Sequence, residues 1–232
     1  MIIAIDGPTA SGKSTVARAL AEQLNMYYVS TGLLYRALAY LLTHDFGYPE
    51  SALAQPNMDD VRRCLKEGDF VYDYRHDQGA LLYFKGTDIT PFLKTKQIDY
   101  GASIVSANEA VRHELLQYQR AFAQRHHIVM EGRDIGSIIF PQADVKFFVT
   151  ATESVRAQRW QRDQEKKGNR YSLEESVQAI RSRDERDTKR KTSPLVVAPG
   201  ATVIDTTLLT KEETLQALVN IVQRSAHAPL KF

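Results

Sequence analysis

The chain has a single cysteine, Cys64, which excludes an intramolecular disulfide and any cysteine-built metal cluster. It lies in a helical-looking stretch, 61–66, where a buried thiol is expected rather than a nucleophile. An excess of charge is missing too. Thirty Lys and Arg against 28 Asp and Glu leave a net +2, which gives no general affinity for polyanions and argues against a nucleic-acid partner. No hydrophobic run approaches the roughly 18 residues that span a bilayer. An apolar strand starts at Ile2, leaving no room for a signal peptide. A cytoplasmic protein without a membrane partner is the expectation. Repeats and low-complexity tracts are absent as well.

What is present is an alternation of strands and helices in a chain of 232 residues, a length that fits one domain with insertions. Apolar runs at 2–5, 27–29, 128–130, 145–150 and 203–205 read as strands. Leu34, Leu38, Leu41 and Leu42 mark a helix over 33–44, and Ile104, Ala107, Val111, Leu115, Tyr118 and Phe122 predict one long helix over 104–124. Thr150 with Glu153, Ser172 with Glu175 and Thr210 with Glu213 have the spacing of capping boxes. Strands separated by helices in this order predict an α/β fold, a five-stranded parallel sheet covered on both faces. Ligands then belong beyond the carboxyl ends of its strands. Between Gly68 and Thr90 the alternation breaks into three short strands (70–72, 81–84, 88–89), with turns at Gly79 and Gly86. A small antiparallel insert is expected there, either a mobile lid or substrate subdomain or a decoration.

The most specific local signal is Gly7-Pro8-Thr9-Ala10-Ser11-Gly12-Lys13-Ser14, a G-x-x-x-x-G-K-S phosphate loop between the first strand and a helix carrying Val16, Leu20 and Leu24 on one face. Glycines let successive N–H groups turn toward phosphate oxygens. The helix start adds its positive end. Lys13 is positioned to reach the terminal phosphates, and the Ser14 hydroxyl to hold Mg²⁺. A nucleoside triphosphate is the expected ligand, bound by residues 7–15, Thr15 included.

A second set of residues suits a phosphoryl acceptor. Arg36 follows Ser30-Thr31-Gly32 just past a strand end, and Arg133 follows the strand ending at Met130. Arg183, Arg186, Asp187 and Arg190 fall on one helical face. Guanidinium forks stabilise charge on a transferring phosphoryl group. The same helix also reads as a solvated face laced with ion pairs, since Asp184 and Glu185 are interspersed. Glu131 and Asp134 end a strand where an acid for Mg²⁺ or its water shell belongs, whereas Asp6 reads as a brace for the loop. Arg156, Arg159 and Arg162 could close over phosphates or face solvent. His126 and His127 read as a surface turn. No N-K-x-D base-reading motif occurs, which argues against a guanine-nucleotide switch.

With Thr31-Gly32-Leu33-Leu34-Tyr35-Arg36, Gly132-Arg133-Asp134-Ile135-Gly136, Arg183-Asp184-Glu185-Arg186-Asp187, Ser193-Pro194-Leu195 and Val203-Ile204-Asp205-Thr206-Thr207 added to the loop, the chain resembles the bacterial cytidylate kinases, nucleoside-monophosphate kinases of the phosphate-loop class. The resemblance runs nearly end to end. It implies ATP-dependent phosphorylation of CMP and dCMP in pyrimidine nucleotide metabolism, with Mg²⁺ arriving on ATP, in a cytoplasmic monomer. It implies a single domain with a core of 1–66 and 103–232, an inserted monophosphate-binding subdomain at 67–102 and a lid at 153–172. Residue by residue, it implies that Ser103, Arg112 and Asp134 read cytosine, Arg183 and Asp187 the sugar, and Arg36, Arg133 and Arg190 the acceptor phosphate. Thr31, Tyr35 and Glu131 join that acceptor set, and Arg159 and Arg162 donate to the transferring group. Two positions depart from the family pattern: Ser30 and Glu131 stand where aspartate is usual. Any Mg²⁺ or positioning role then falls to Glu131, through water, to Asp134 or to solvent.

Overall fold

The computed structural model describes residues 1–226. In chain order the elements begin with β1 (Ile2–Asp6), α1 (Lys13–Gln23), β2 (Tyr27–Ser30), α2 (Thr31–His44) and α3 (Met58–Cys64). Strands β3 (Phe70–Arg75), β4 (Gly79–Phe84) and β5 (Thr87–Asp88) follow, then α4 (Lys96–Val105), α5 (Glu109–Ala123) and β6 (Ile128–Gly132). The chain continues through β7 (Val145–Thr150), α6 (Glu153–Glu165), α7 (Leu173–Lys189), β8 (Thr202–Asp205) and α8 (Lys211–Ala226). The strand order is β2-β6-β1-β7-β8, and β3-β4-β5 form a separate antiparallel sheet. This is the α/β architecture expected from the alternation.

Two compact units divide the chain. One contains Met1–Met26 and the chain from His127 onward, the other Tyr27–His126. In the first, β1 pairs in parallel with β6 and β7, and β7 with β8. Ile3, Ala4 and Ile5 are wholly buried, as are Val129 and Met130 alongside. That double-sided burial is why these strands read as continuous apolar runs rather than alternating ones. Asp6 lies level with Gly132 on one side and Phe148 on the other, so the loops after β1, β6 and β7 leave the sheet at one edge. Buried Val16, Ala17, Leu20 and Ala21 form the inward face of α1.

The second unit holds α2 to α5 and the three-stranded sheet. Residues 67–102 lie within it. Strand β3 alternates, with Phe70, Tyr72 and Tyr74 buried and Val71 and Arg75 exposed, the signature of a sheet covered on one face. At the two ends of this unit the rings of Tyr27 and His126 stack, their centroids 4.6 Å apart. Cys64 is fully buried, and burial pushes its thiol pKa up to about 12, the state of an inert packing residue.

Two expectations need correction. The helix predicted over 104–124 is two helices, α4 and α5, separated by Ser106-Ala107-Asn108. The Asn108 side chain accepts the Val111 N–H at 3.1 Å and so starts a new helix inside an unbroken apolar pattern. Thr150 is not a cap: it belongs to β7, paired with Asp205, and α6 starts from Thr152 without a side-chain cap. The other two boxes form. Ser172 and Glu175 bond reciprocally at 3.1 and 2.7 Å, and Thr210 and Glu213 at 3.1 and 2.8 Å.

Candidate active site

The phosphate loop links the buried end of β1 to the start of α1. Gly7 is required by a close approach: a Cβ there would lie 2.0 Å from the Val149 carbonyl oxygen. Gly12 is required by its backbone, since it precedes the first helical residue at φ +89°. Inside the loop Lys13 is buried and its Nζ donates to the Pro8 carbonyl at 2.9 Å. Burial, reinforced by the Arg133 charge, brings its pKa down to about 7 despite the opposing charge of Glu131. The loop thus holds a desolvated amine whose charged form gains most from an arriving anion.

Arg133 leaves the end of β6 toward this loop. Its Nε donates to Asp187 Oδ2 at 2.7 Å and its Nη2 reaches Thr9 Oγ1 at 3.5 Å. Arg190, just past the end of α7, approaches Asp134 Oδ1 at 3.7 Å and Asp187 Oδ1 at 3.9 Å, while its Nε donates to the Ser193 carbonyl. Arg183 is close enough to act electrostatically on both Lys13 and Asp187. Burial opposes the charge on Asp187, but Arg133, Arg183 and Arg190 outweigh it and hold the carboxyl below the usual range. Asp187 is therefore an anion that keeps three guanidinium groups grouped beside a phosphate loop. Arg186, although on the same helix, is exposed and donates back to the Ser182 carbonyl.

Asp6 braces a different segment from the one expected. Its two carboxylate oxygens accept the Ile135 and Gly136 N–H groups, each at 2.8 Å, fixing the turn after Arg133 and Asp134 rather than the phosphate loop. Burial raises its pKa to about 6 in spite of those two donors.

Helices α6 and α7 surround the loop from outside. Arg156 donates to the Thr9 carbonyl at 3.0 Å and to the Ala151 carbonyl at 3.1 Å, and it pairs with Asp184. The other Asp184 oxygen accepts the Thr9 N–H at 2.9 Å. Arg159 donates to the Ser11 carbonyl at 3.3 Å and to Thr206 at 2.8 Å. Arg162 is exposed. Asp184 and Thr206 are the residues that sequence reasoning passed over. In the sequence, Asp184 differs in nothing from its acidic neighbours on the helix.

In the second unit Tyr35 and Arg112 meet, the guanidinium 5.5 Å from the ring centroid, and Arg112 Nη1 donates to the Ser106 carbonyl at 2.9 Å. The Ser103 carbonyl accepts the Ser106 hydroxyl at 3.1 Å. Arg36 Nε pairs with Asp99, a partner the sequence did not suggest. Thr31 is buried at the start of α2.

Among the described residues no cluster of three or more carboxylate, histidine or cysteine groups could cage a metal. The donor set on hand is the exposed Ser14 hydroxyl in the first turn of α1 and the buried Glu131 at the end of β6. Few protein ligands are what Mg²⁺ needs when it arrives bound to a polyphosphate and keeps several waters.

Residues 3–224 match the family model described as cytidylate kinase. The chain belongs to the cytidylate kinase family. Curated members include proteins of Carboxydothermus hydrogenoformans and Magnetococcus marinus, both named cytidylate kinase. The first is 38% identical, with 97% of this chain and 98% of the relative covered. The second is 34% identical, with 98% and 97% covered. A Thermotoga maritima cytidylate kinase is 38% identical over 95% of this chain and 96% of its own. Family membership makes the chain a kinase, an enzyme of the phosphotransferase class. No described helix is long and apolar enough to cross a membrane.

Proposed function

We propose that the chain transfers the γ-phosphoryl group of ATP to CMP, and to dCMP, giving ADP and CDP or dCDP. The observation that supports this reading most directly is the group of Lys13, Arg133, Arg183 and Arg190 gathered about Asp187, with Asp134 and Glu131 beside it. Donor and acceptor phosphates together carry several negative charges, and cations held in place before they arrive reduce the cost of bringing them together.

The loop, residues 7–15, binds the donor phosphates through those of its backbone N–H groups that turn inward, and Lys13 becomes fully charged against them. Mg²⁺, when bound with ATP, neutralises the phosphate oxygens; Ser14 would hold it, with Glu131 acting through water. Arg36, Arg133 and Arg190 orient the acceptor phosphate, and Arg159 and Arg162 are assigned to the transferring group. Ser103, Arg112 and Asp134 read the cytosine edge, which offers an amino donor beside two acceptors. Tyr35 and Thr31 pack beside the nucleoside, and Arg183 and Asp187 hold the sugar. No general base is needed, because the attacking phosphate oxygen is already ionised. Closure of residues 153–172 excludes water and suppresses ATP hydrolysis. The site of action is the cytoplasm and the working unit a monomer.

The test is ADP production from Mg-ATP with CMP, dCMP, UMP, AMP and GMP offered separately, plus a control without acceptor. Turnover confined to CMP and dCMP is the expected result. Equal turnover without acceptor, or a preference for UMP or AMP, overturns the reading.

A further inference from the structure

Phosphate loops present N–H groups inward, so their carbonyls are left facing outward and must be satisfied from behind. Here Thr9 O is taken by Arg156 and Ser11 O by Arg159, residues three apart on one face of α6. The Thr9 N–H also faces away from the anion site, because it is committed to Asp184 on α7. Both polar ends of the Thr9 backbone are thus held by one ion pair, Arg156–Asp184, whose side chains are only 12% and 16% exposed. The neighbouring Ala10 takes a left-handed φ of +57° without being glycine, a conformation that carries a cost.

We propose that Asp184 and Arg156 are positioning residues for the donor triphosphate, acting as a clamp that sets the Thr9 backbone and thereby the register of the loop amides that follow it. The inference rests on the phosphate loop binding a nucleoside triphosphate and is independent of which acceptor is used. Asp184 accepts, Arg156 donates, and neither touches the donor. Because the two come from different helices, the clamp also makes loop geometry depend on how α6 and α7 pack. Their pairing is continued by Arg181, which donates to Glu153 at 2.7 Å.

The experiment is calorimetric titration of the full chain with ADP, and separately with CMP, for the wild type, Asp184→Ala, Asp184→Asn, Arg156→Ala and the double variant D184A/R156A. The clamp predicts about a tenfold loss of ADP affinity in Asp184→Ala and in Arg156→Ala, in the range set by one lost charge-assisted bond. The double variant is expected to be no more than about twofold worse than either single one, because both remove one device. CMP affinity stays within about twofold of wild type. Asp184→Asn, which can still accept the Thr9 N–H, recovers part of the ADP affinity and guards against a variant that fails to fold. Losses that multiply in the double variant, equal losses for ADP and CMP, or unchanged ADP affinity overturn the clamp. A wild type that binds ADP but does not phosphorylate CMP overturns the proposed acceptor while leaving the clamp to be judged by the same titrations.

Discussion

Arg133 Nε donates to Asp187 Oδ2 at 2.7 Å, joining the end of β6 to the last turns of α7 through two side chains that are each 17% exposed. This bond brings an arginine and an acid 54 residues apart in the chain into one cationic group. An aspartate between three arginines would ordinarily be read as a surface ion-pair partner. Its burial and depressed pKa give it a larger role, that of the counter-charge without which the arginines repel one another.

Replacing that counter-charge should cost stability. Asp187→Ala is expected to lower the unfolding free energy by about 2 kcal/mol at pH 7, between the values typical of exposed and buried pairs. The pH dependence has a definite sign. The folded pKa of Asp187 lies below its unfolded value of roughly 3.9, so its contribution is complete above that value and disappears as pH falls through the folded pKa. Urea unfolding of the two proteins should differ by a constant amount from pH 7 to pH 5 and converge below about pH 4. A difference that persists undiminished below that point contradicts the assignment.

Lys13 should announce nucleotide binding by taking up a proton. With a pKa near 7 it is mostly neutral at pH 8, and phosphate oxygens against it restore the ordinary ammonium range. Titration with ADP at pH 8 in buffers of different ionisation enthalpy should therefore report uptake of close to one proton, falling to about half at pH 7. Heats that do not depend on the buffer would mean that the lysine is already charged in the free protein.

Activity should separate the acceptor-side cations from donor binding. Arg133→Ala and Arg190→Ala are each expected to lower kcat/KM for CMP by about a thousandfold, the scale of losing a preorganised donor to developing charge. Arg112→Ala, which also unstacks Tyr35, should cost about a hundredfold and narrow the preference for CMP over UMP. ADP affinity should stay within about twofold in Arg190→Ala and Arg112→Ala. Near-normal CMP turnover in any of the three removes that residue from the acceptor site.

The sequence made some parts of this molecule plain and concealed others for identifiable reasons. The phosphate loop and the Ser172 and Thr210 capping boxes are local: each depends on residues within eight positions of one another, so spacing alone specifies them. The break between α4 and α5 was hidden because Ile104, Ala107 and Val111 keep helical spacing across it, and only Asn108 signals a new start. Thr150 had the spacing of a cap, but pairing of β7 with β8 claimed its backbone first. Asp184 and Asp99 could not be singled out, because their partners, Arg156 and Arg36, lie 28 and 63 residues away and pairing at that range follows from tertiary packing. Asp6 shows the intermediate case. Its place at a strand end was legible, but the segment it supports was not, since that depends on the neighbouring strand β6 ending level with it.

Residues 27 and 126 touch ring to ring, so the hundred-residue passage between them enters and leaves through a single doorway. Chain inserted, trimmed or exchanged inside such a passage need not drag on Met26 or His127, the residues that flank it. Descendants of this sequence can therefore inherit new versions of the chain beyond β2 as one cassette while β1, its phosphate loop, β2 and β6 stay as they are.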